Sequence, residues 1–455
     1  MRNSDHARDR LTVVGGGLVG SLLAVYLARR GFGVDVFERQ PDPRMPGPRS
    51  SRPSINLTLC ERGLAALDAV GLKDRVLALT VPVYGRRIHL IDGSTAFQPY
   101  SNRGEAIHSI SRNELNAVLV AAAERERGVA YHFDQKCTGL DSRGGTVSFE
   151  HAVTKARTEV GPTKIFGADG AYSGVRLQLQ KTELFDYSQQ YSPQGYKELA
   201  IPAGPEGRPV LEADALHIWP RGDFMLIAFP NRDGSFTCGL YAPFHGEHSF
   251  ASLTTEERLV AFMHEQFPDI APCIPSIAEQ FFARSANTMV TVRCRPWSRH
   301  GNVLLVGDAA HSILPSYGQG ANAGFEDCAV LDRCIERHPN DWRGVFAELE
   351  ELRRPEMDVM ADLCVEHFYE LREHVAEPRF LLRKAVERRL QELYPERFAS
   401  LYSLVAFTRT PYSEAVRIES RQRALVDRIL AVDGIEQKFR SEMTTLVEHC
   451  LQEVA

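Results

Sequence analysis

An unbroken apolar and β-branched run, Leu11-Thr12-Val13-Val14, stops at Gly15, Gly17 and Gly20, and an apolar pattern at helical spacing follows over 22–28. Period and punctuation predict strand, tight turn and helix. A second strand is predicted over 34–37 and ends in Glu38, eighteen residues beyond Gly20. The stretch 40–54, rich in Pro, Gly, Arg and Ser, reads as an exposed loop. A helix is predicted over 60–69. A hairpin follows, with strand 85–91, the turn Asp92-Gly93 and a return strand over 95–100. Ser111 with Glu114 three residues on has the form of a capping box, opening a helix that reaches Glu126. Strands are predicted over 129–141 and 146–151. A further strand, 164–167, stops at Ala168-Asp169-Gly170 ahead of Ser173 and Arg176.

From 183 to 295 the pattern shortens to aromatic and β-branched runs at 196–201, 215–219, 224–229 and 236–241, separated by polar turns. This predicts a mainly antiparallel sheet with one wet and one apolar face. A helix over 253–267, stopped by Pro268, interrupts it. A buried strand over 302–306 then runs into Gly307-Asp308-Ala309-Ala310-His311, a loop over 315–320 and a helix over 321–335. Everything beyond Asp341 has helical periodicity, with breaks or helix starts expected at Pro355, Pro378 and Pro395. In 420–454, Leu425, Ile429, Leu430, Ile435, Phe439, Leu446 and Val447 form an amphipathic docking face.

The chemistry begins at the first turn. Gly15 permits the turn, Gly17 lets the backbone approach a pyrophosphate, and Gly20 allows close helix–strand packing. Glu38 can accept ribose hydroxyls but not tolerate a ribose phosphate, so this turn suits FAD or NAD rather than NADP. Asp308, after a strand and beside glycines, is placed to hold a ribityl hydroxyl. The loop 315–320 offers N–H groups to a ring that accumulates negative charge, as a reduced flavin does.

Composition narrows the class. With 455 residues, two or three domains are expected. A net charge of −6 and the lack of a basic block give no reason to expect nucleic-acid binding. Nine cysteines without a CxxC pair read as reduced thiols of a cytoplasmic protein, with Cys328, Cys334 and Cys364 in the core. Residues 1–10 read as a polar disordered leader, and no apolar stretch is long enough for a transmembrane segment.

GGGLVG at 15–20, GADGAYSGVR at 167–176 and GDAAH with its Gly-Gln-Gly loop at 307–320 resemble the class A flavoprotein aromatic hydroxylases. SINLTLCERG at 54–63, GRRIH at 85–89, SISRNELN at 109–116, YKEL at 196–199, HIWPRG at 217–222 and RTPYSEA at 409–415 resemble the branch of kynurenine 3-monooxygenases. The resemblance spans about 11–430. It implies an α/β fold: a Rossmann-like FAD-binding domain (11–82, 104–182 and 298–340), an inserted antiparallel-sheet substrate domain (83–103 and 183–297) and a C-terminal helical region (341–455). It also implies bound FAD, NADPH as co-substrate without a fold of its own, and a flavin C4a-hydroperoxide that oxygenates L-kynurenine ortho to its ring amine. No metal is expected, and the oligomeric state is left open.

The resemblance places a substrate-carboxylate clamp on Arg86, Tyr100 and Tyr402, and cofactor contacts on Gly15, Gly17, Gly20, Glu38, Arg112, Asp308, Gly318, Gly320, Ala321 and Asn322. By residue type alone, Arg86 reads equally as a solvated strand position, Arg112 as an exposed first-turn residue, and the tyrosines as packing. Three departures stand out. His367 replaces the family's Asn in a helix that keeps Glu370 and Arg372, Ser316-Tyr317 and Ala321 alter the flavin loop, and Pro53 stands where an Arg precedes Ser-Ile-Asn. Tyr317, His367 and Glu370 are accordingly pocket candidates, and His367 also a substrate contact. The departures leave open the same chemistry on a modified kynurenine or anthraniloyl-type substrate. A non-catalytic flavin-binding protein is the alternative from another class. A flavin halogenase is disfavoured, because the Trp-x-Trp-x-Ile run of those enzymes is missing.

Overall fold

The computed structural model describes residues 10–45, 55–375, 377–432, 434, 435 and 438. The expected leader up to residue 9, the loop residues 46–54 with the Pro53 departure, and Phe439, Leu446 and Val447 lie outside the described residues. Two compact units divide the chain: residues 1–80, 110–192 and 288–364 form one, and residues 81–109, 193–287 and 365–455 the other.

In the first unit the opening apolar run is the strand Arg10–Val14, beginning at the residue expected to end the leader. It pairs in parallel with Gly33–Phe37 on one side and Lys164–Gly167 on the other. Val129–His132 extends the sheet beyond Gly33–Phe37, and Val303–Leu305 extends it beyond Lys164–Gly167. Strand order therefore reverses at Arg10–Val14, and ligands of open α/β sheets bind at the carboxyl end of such a switch point. The strand expected over 129–141 breaks in two, because Asp134 turns the chain with φ of 59°. Ser111 precedes the helix Arg112–Arg125 as expected, but its hydroxyl makes no capping bond.

A buried charge network fixes the segment 307–327. Asp327, with no exposed surface, accepts from Gly307 N–H at 3.2 Å and Arg353 Nε at 2.7 Å, and lies 2.6 Å from His311 Nε2. Arg353 Nη1 also donates to Glu326 at 2.7 Å, and Arg62 closes the network on the same carboxylate at 3.1 Å. This network corrects one expectation. Pro355 does not break a helix but lies inside Trp342–Tyr369, 28 residues long. The ion pairs of Arg353 before it and the burial of Met357, Met360 and Ala361 after it outweigh the lost backbone bond. Pro378 does start a helix, Pro378–Leu393, and Pro395 follows its end.

The second unit is built on a sheet. The strands Phe236–Pro243, Met225–Pro230 and Ala215–Pro220 are antiparallel neighbours, Gly85–His89 joins Ala215–Pro220 in parallel, and Thr95–Pro99 completes the predicted hairpin. The chain passes between the units within the strands Asp186–Ile201 and Asn287–Arg295. The expected wet face is absent from the central strands: every residue of Ala215–Pro220 is buried. On one face Trp219, Leu226, Phe236 and Leu240 pack with Leu259, Phe262 and Phe267, from the helix Glu256–Gln266 and its end. On the other, Tyr241 meets Phe368, ring centroids 6.2 Å apart, at the end of Trp342–Tyr369. A second cover turns both faces apolar.

The runs GRRIH and HIWPRG meet on the first face. His89 Nδ1 lies 3.0 Å from Asp269 Oδ2, and its Nε2 lies 2.9 Å from His217 Nδ1. Trp219 Nε1 donates to Asp269 at 2.8 Å, and His217 Nε2 donates to Glu212 O at 2.9 Å. Burial pushes the His217 imidazole down to about 4. The eight cysteines of the described residues are free, and Cys328, Cys334 and Cys364 are buried. Among the described residues no helix is long and apolar enough to cross a membrane.

Asp327→Asn should keep the shape of the network but remove the buried carboxylate that Arg353 Nε and His311 face, leaving Arg353 only Glu326 as a charge partner and costing about 3 kcal/mol. A urea midpoint lowered at unchanged slope would register this. Burial would raise the Asp327 carboxyl, but His311 and Arg353 hold it down to about 2. Its unfolded value is about 3.9. The stability it contributes is thus present above about pH 4 and lost as pH falls towards about 2, and the Asn variant should lack that acid limb.

Candidate active site

The residues expected on the cofactor lie in the first unit. Gly15 has φ of 106°, and a Cβ there would stand 2.4 Å from Ala168 O, so the turn demands glycine. A Cβ on Gly20 would stand 1.9 Å from Gly15 O. One on Gly17, at the N-cap of the helix Leu18–Arg29, would meet nothing within 4 Å. The turn is therefore closed behind and open in front, where unpaired helix N–H groups collect. Glu38 stands at this opening, accepting from Gly16 N–H at 2.7 Å and Gln40 N–H at 2.8 Å. An open N-terminus beside a carboxylate fits a pyrophosphate and an unphosphorylated ribose.

Asp308 opens the short helix Asp308–His311, and its Oδ1 would lie 3.9 Å from a Cβ on Gly320, the first residue of Gly320–Arg337. Gly318 turns the loop at φ of 65°, where a Cβ would stand 2.2 Å from Thr58 Oγ1. Asn322 is a brace: its Nδ2 donates to Thr58 O at 2.8 Å and Gly318 O at 2.7 Å, and its Oδ1 accepts from Cys60 N–H at 3.0 Å. Its side chain is fully engaged, so what Asn322 offers a ligand is its main chain. Ala321 is half-buried in the first turn beside it. Tyr317 is buried in the turn Pro315–Tyr317, which Ser316 Oγ ties to Cys364 O at 2.6 Å. Arg112 is exposed at the start of Arg112–Arg125.

The expected clamp lies in the second unit, and its members gather. Alternation along Gly85–His89 sends Arg87 to Glu212 at 2.7 Å and His89 to Trp219, while Arg86 takes the other face. There Arg86 Nη2 donates to Glu370 Oε1 at 3.2 Å, and Arg86 Nε donates to Gln98 Oε1 at 2.7 Å. His367 Nδ1 stands 3.5 Å from the same Glu370 oxygen. Tyr100, just past the strand Thr95–Pro99, stacks on Tyr402 at 4.7 Å and 16°. Tyr402 belongs to Leu401–Phe407, a helix capped by the Ser400 side chain. The His367 ring lies 6.3 Å from that of Tyr402. Arg86, Tyr100, His367, Glu370 and Tyr402 thus form one cluster, and Tyr317 belongs to the other unit.

Electrostatics gives each member a state. Burial would raise the Glu370 carboxyl, yet His367, Lys384 and Arg86 hold it well below the usual range, so it is a carboxylate. Burial pushes the His367 imidazole down, against the pull of Glu370. Burial pushes the Tyr100 phenol up to about 12, although Arg86 opposes it, so it keeps its proton. One guanidinium and two phenols suit a carboxylate ligand.

Two features escaped the sequence reading. Glu370 opens a π-helical turn, Glu370–His374, which no residue pattern announces. Gln98 faces Arg86 because a hairpin folded about Asp92 pairs residue 86 with residue 98; that signal was present in the predicted turn.

A family model described as an FAD binding domain matches residues 9–344. Kynurenine 3-monooxygenases of Flavobacterium psychrophilum and Myxococcus xanthus are 43% and 46% identical, covering 95% and 94% of this chain and 96% and 91% of theirs. Among solved structures, 2-methyl-3-hydroxypyridine-5-carboxylic acid oxygenase in its tetrameric form matches with a TM-score of 0.67 at 22% identity, covering 84% of this chain and 98% of that one. Pseudomonas aeruginosa PqsL, solved with 2-aminobenzoylacetate, matches at 0.64 and 19%, covering 80% and 96%. These two show the fold alone, and it is the α/β fold with an FAD-binding domain and a second sheet expected from sequence. The chain belongs to the kynurenine 3-monooxygenase family and is an FAD-dependent monooxygenase.

Proposed function

We propose that this enzyme hydroxylates L-kynurenine ortho to the ring amine, giving 3-hydroxykynurenine. One ring C–H, O2, NADPH and a proton become C–OH, water and NADP+. The observation that carries this reading is the Arg86–Glu370 pair beside the stacked phenols of Tyr100 and Tyr402. A zwitterionic amino acid matches that pair group for group. Arg86 and the two phenols take its carboxylate by charge-assisted hydrogen bonds, and Glu370 accepts from its ammonium. His367, kept neutral by burial, presents a polar ring without adding charge. Two relatives named for this activity, 43% and 46% identical over nearly the whole chain, support the reading.

In the first unit, Gly15, Gly17 and Gly20 with Glu38 and Arg112 would hold the ADP half of FAD. Asp308, Gly318 and the main chain of Gly320, Ala321 and Asn322 would hold the flavin half. The bound FAD supplies reduction by NADPH and activation of O2. The substrate's ring amine directs the oxygen by enriching the ortho carbon. Free cysteines suit a cytoplasmic setting.

The test is NADPH oxidation under air with L-kynurenine and ring-substituted or anthraniloyl analogues, with products identified by mass. Gain of one oxygen on kynurenine is expected. Peroxide release without a hydroxylated product would overturn the reading, and oxygen gain on an analogue alone would move the assignment to that substrate. Arg86→Ala should raise the KM for kynurenine about a hundredfold while flavin absorbance per protein stays at the wild-type level.

The cofactor assignment has its own measurement. Gly17→Ala places a methyl group in open space, so the apoprotein should melt as the wild type does while FAD affinity falls about tenfold, or about 1.4 kcal/mol. Gly20→Ala, which collides with Gly15 O, should instead lower the melting temperature of the apoprotein itself.

A further inference from the structure

We propose that Gln98 is a positioning residue that sets the plane of the Arg86 guanidinium for carboxylate recognition; this rests on the substrate reading above. An arginine Nε–H can only donate, so the amide oxygen of Gln98 must face it, and the 2.7 Å separation is a full hydrogen bond. That choice turns the Gln98 amide nitrogen outward, where it donates to Val375 O at 3.4 Å, one residue beyond the π-helical turn. One side chain therefore joins the strand that carries Arg86 to the turn that carries Glu370.

The joint defines an angle. Arg86 and Gln98 are directly paired across the hairpin, so both side chains leave the sheet on the same face. Gly85, next to Arg86, permits this tight pairing: a Cβ there would stand 2.5 Å from the Phe97 ring and 2.6 Å from Gln98 O. With Nε fixed by Gln98 and Nη2 by Glu370, rotation about the last side-chain bond is blocked at two points. Bidentate recognition of a carboxylate needs a fixed plane, because both N–H···O bonds form only when the two groups are coplanar. A free arginine must find that plane by losing side-chain entropy on binding, whereas a held one has lost it already.

The experiment uses the FAD-loaded enzyme and L-kynurenine, with dissociation constants from the flavin absorbance change and steady-state kinetics beside them. Gln98→Met keeps the length and removes both polar atoms of the amide. It should raise Kd and KM about tenfold, the scale of one hydrogen bond to a charged group, with kcat within about twofold of wild type. FAD content and melting temperature should not move. The same change in an Arg86→Lys background should do less than about twofold, since lysine has no Nε–H for Gln98 to hold. An unchanged Kd in Gln98→Met would overturn the proposal, as would an equal loss in the Arg86→Lys background. Early melting or FAD loss would make Gln98 a structural brace and overturn it as well. Failure of the wild-type enzyme to bind kynurenine would overturn the substrate reading and this proposal together. Tight wild-type binding with an unmoved variant overturns the proposal alone.

Discussion

The central strands of the second unit's sheet alternate their side chains between two faces, and both of these faces are buried. That constraint governs the site. A residue of these central strands has two faces to choose from and neither is water, so each must be covered by another part of the chain. The helix Glu256–Gln266, drawn from within the sheet's own sequence, covers one face with a conventional core. The second cover comes from far along the chain, in the end of Trp342–Tyr369 and the π-helical turn after it. Covering the sheet is what brings His367 and Glu370 to Arg86. The packing need and the chemical need are met by the same residues, and a polar cluster is tolerated there because its charges are paired and its hydrogen bonds made.

Alternation also explains why adjacent arginines have unlike fates. Arg87 points to the first face and is absorbed by Glu212 and the ring of Phe97, 5.0 Å from its guanidinium carbon. Arg86 points to the second, where the half-buried Glu370 carboxylate takes its Nη2 and Gln98 its Nε. The chain Asp269–His89–His217, whose two histidines are buried while Asp269 reaches the surface, lies with Arg87. It uses its polar groups on one another and on Glu212 O, so it holds strands together rather than facing a substrate.

Much of this was legible in the sequence, and what was not has a physical cause. The glycine turn could be read because each glycine answers a local steric demand, at Gly15 by φ and at Gly20 by contact with Gly15 O. The hairpin at Asp92-Gly93 could be read because turn chemistry is local. Pro355 was misread because the ion pairs that carry the helix across it join residues far apart in sequence, Arg353 with Glu326 and Asp327. The wet face was misread for the same reason: strand composition alone does not reveal a cover supplied more than a hundred residues later. The π-helical turn leaves no periodic trace because it adds one residue to one turn.

The departure at His367 takes on a definite meaning from this geometry. A change of substrate ring would be expected to leave the carboxylate end of a site alone. His367 instead stands 3.5 Å from Glu370 and beside Tyr402, within the cluster proposed to meet the charged end of the amino-acid substrate. An amide in that position can donate and accept without titrating, and a buried imidazole can do the same while neutral. Burial keeps His367 below its ordinary range, so near neutral pH it matches the amide in charge and differs in shape. Under the proposed function, the substitution therefore bears on how Glu370 and Tyr402 are held rather than on which ring is oxygenated. It thus supports the proposal of kynurenine itself as substrate over a ring-modified relative.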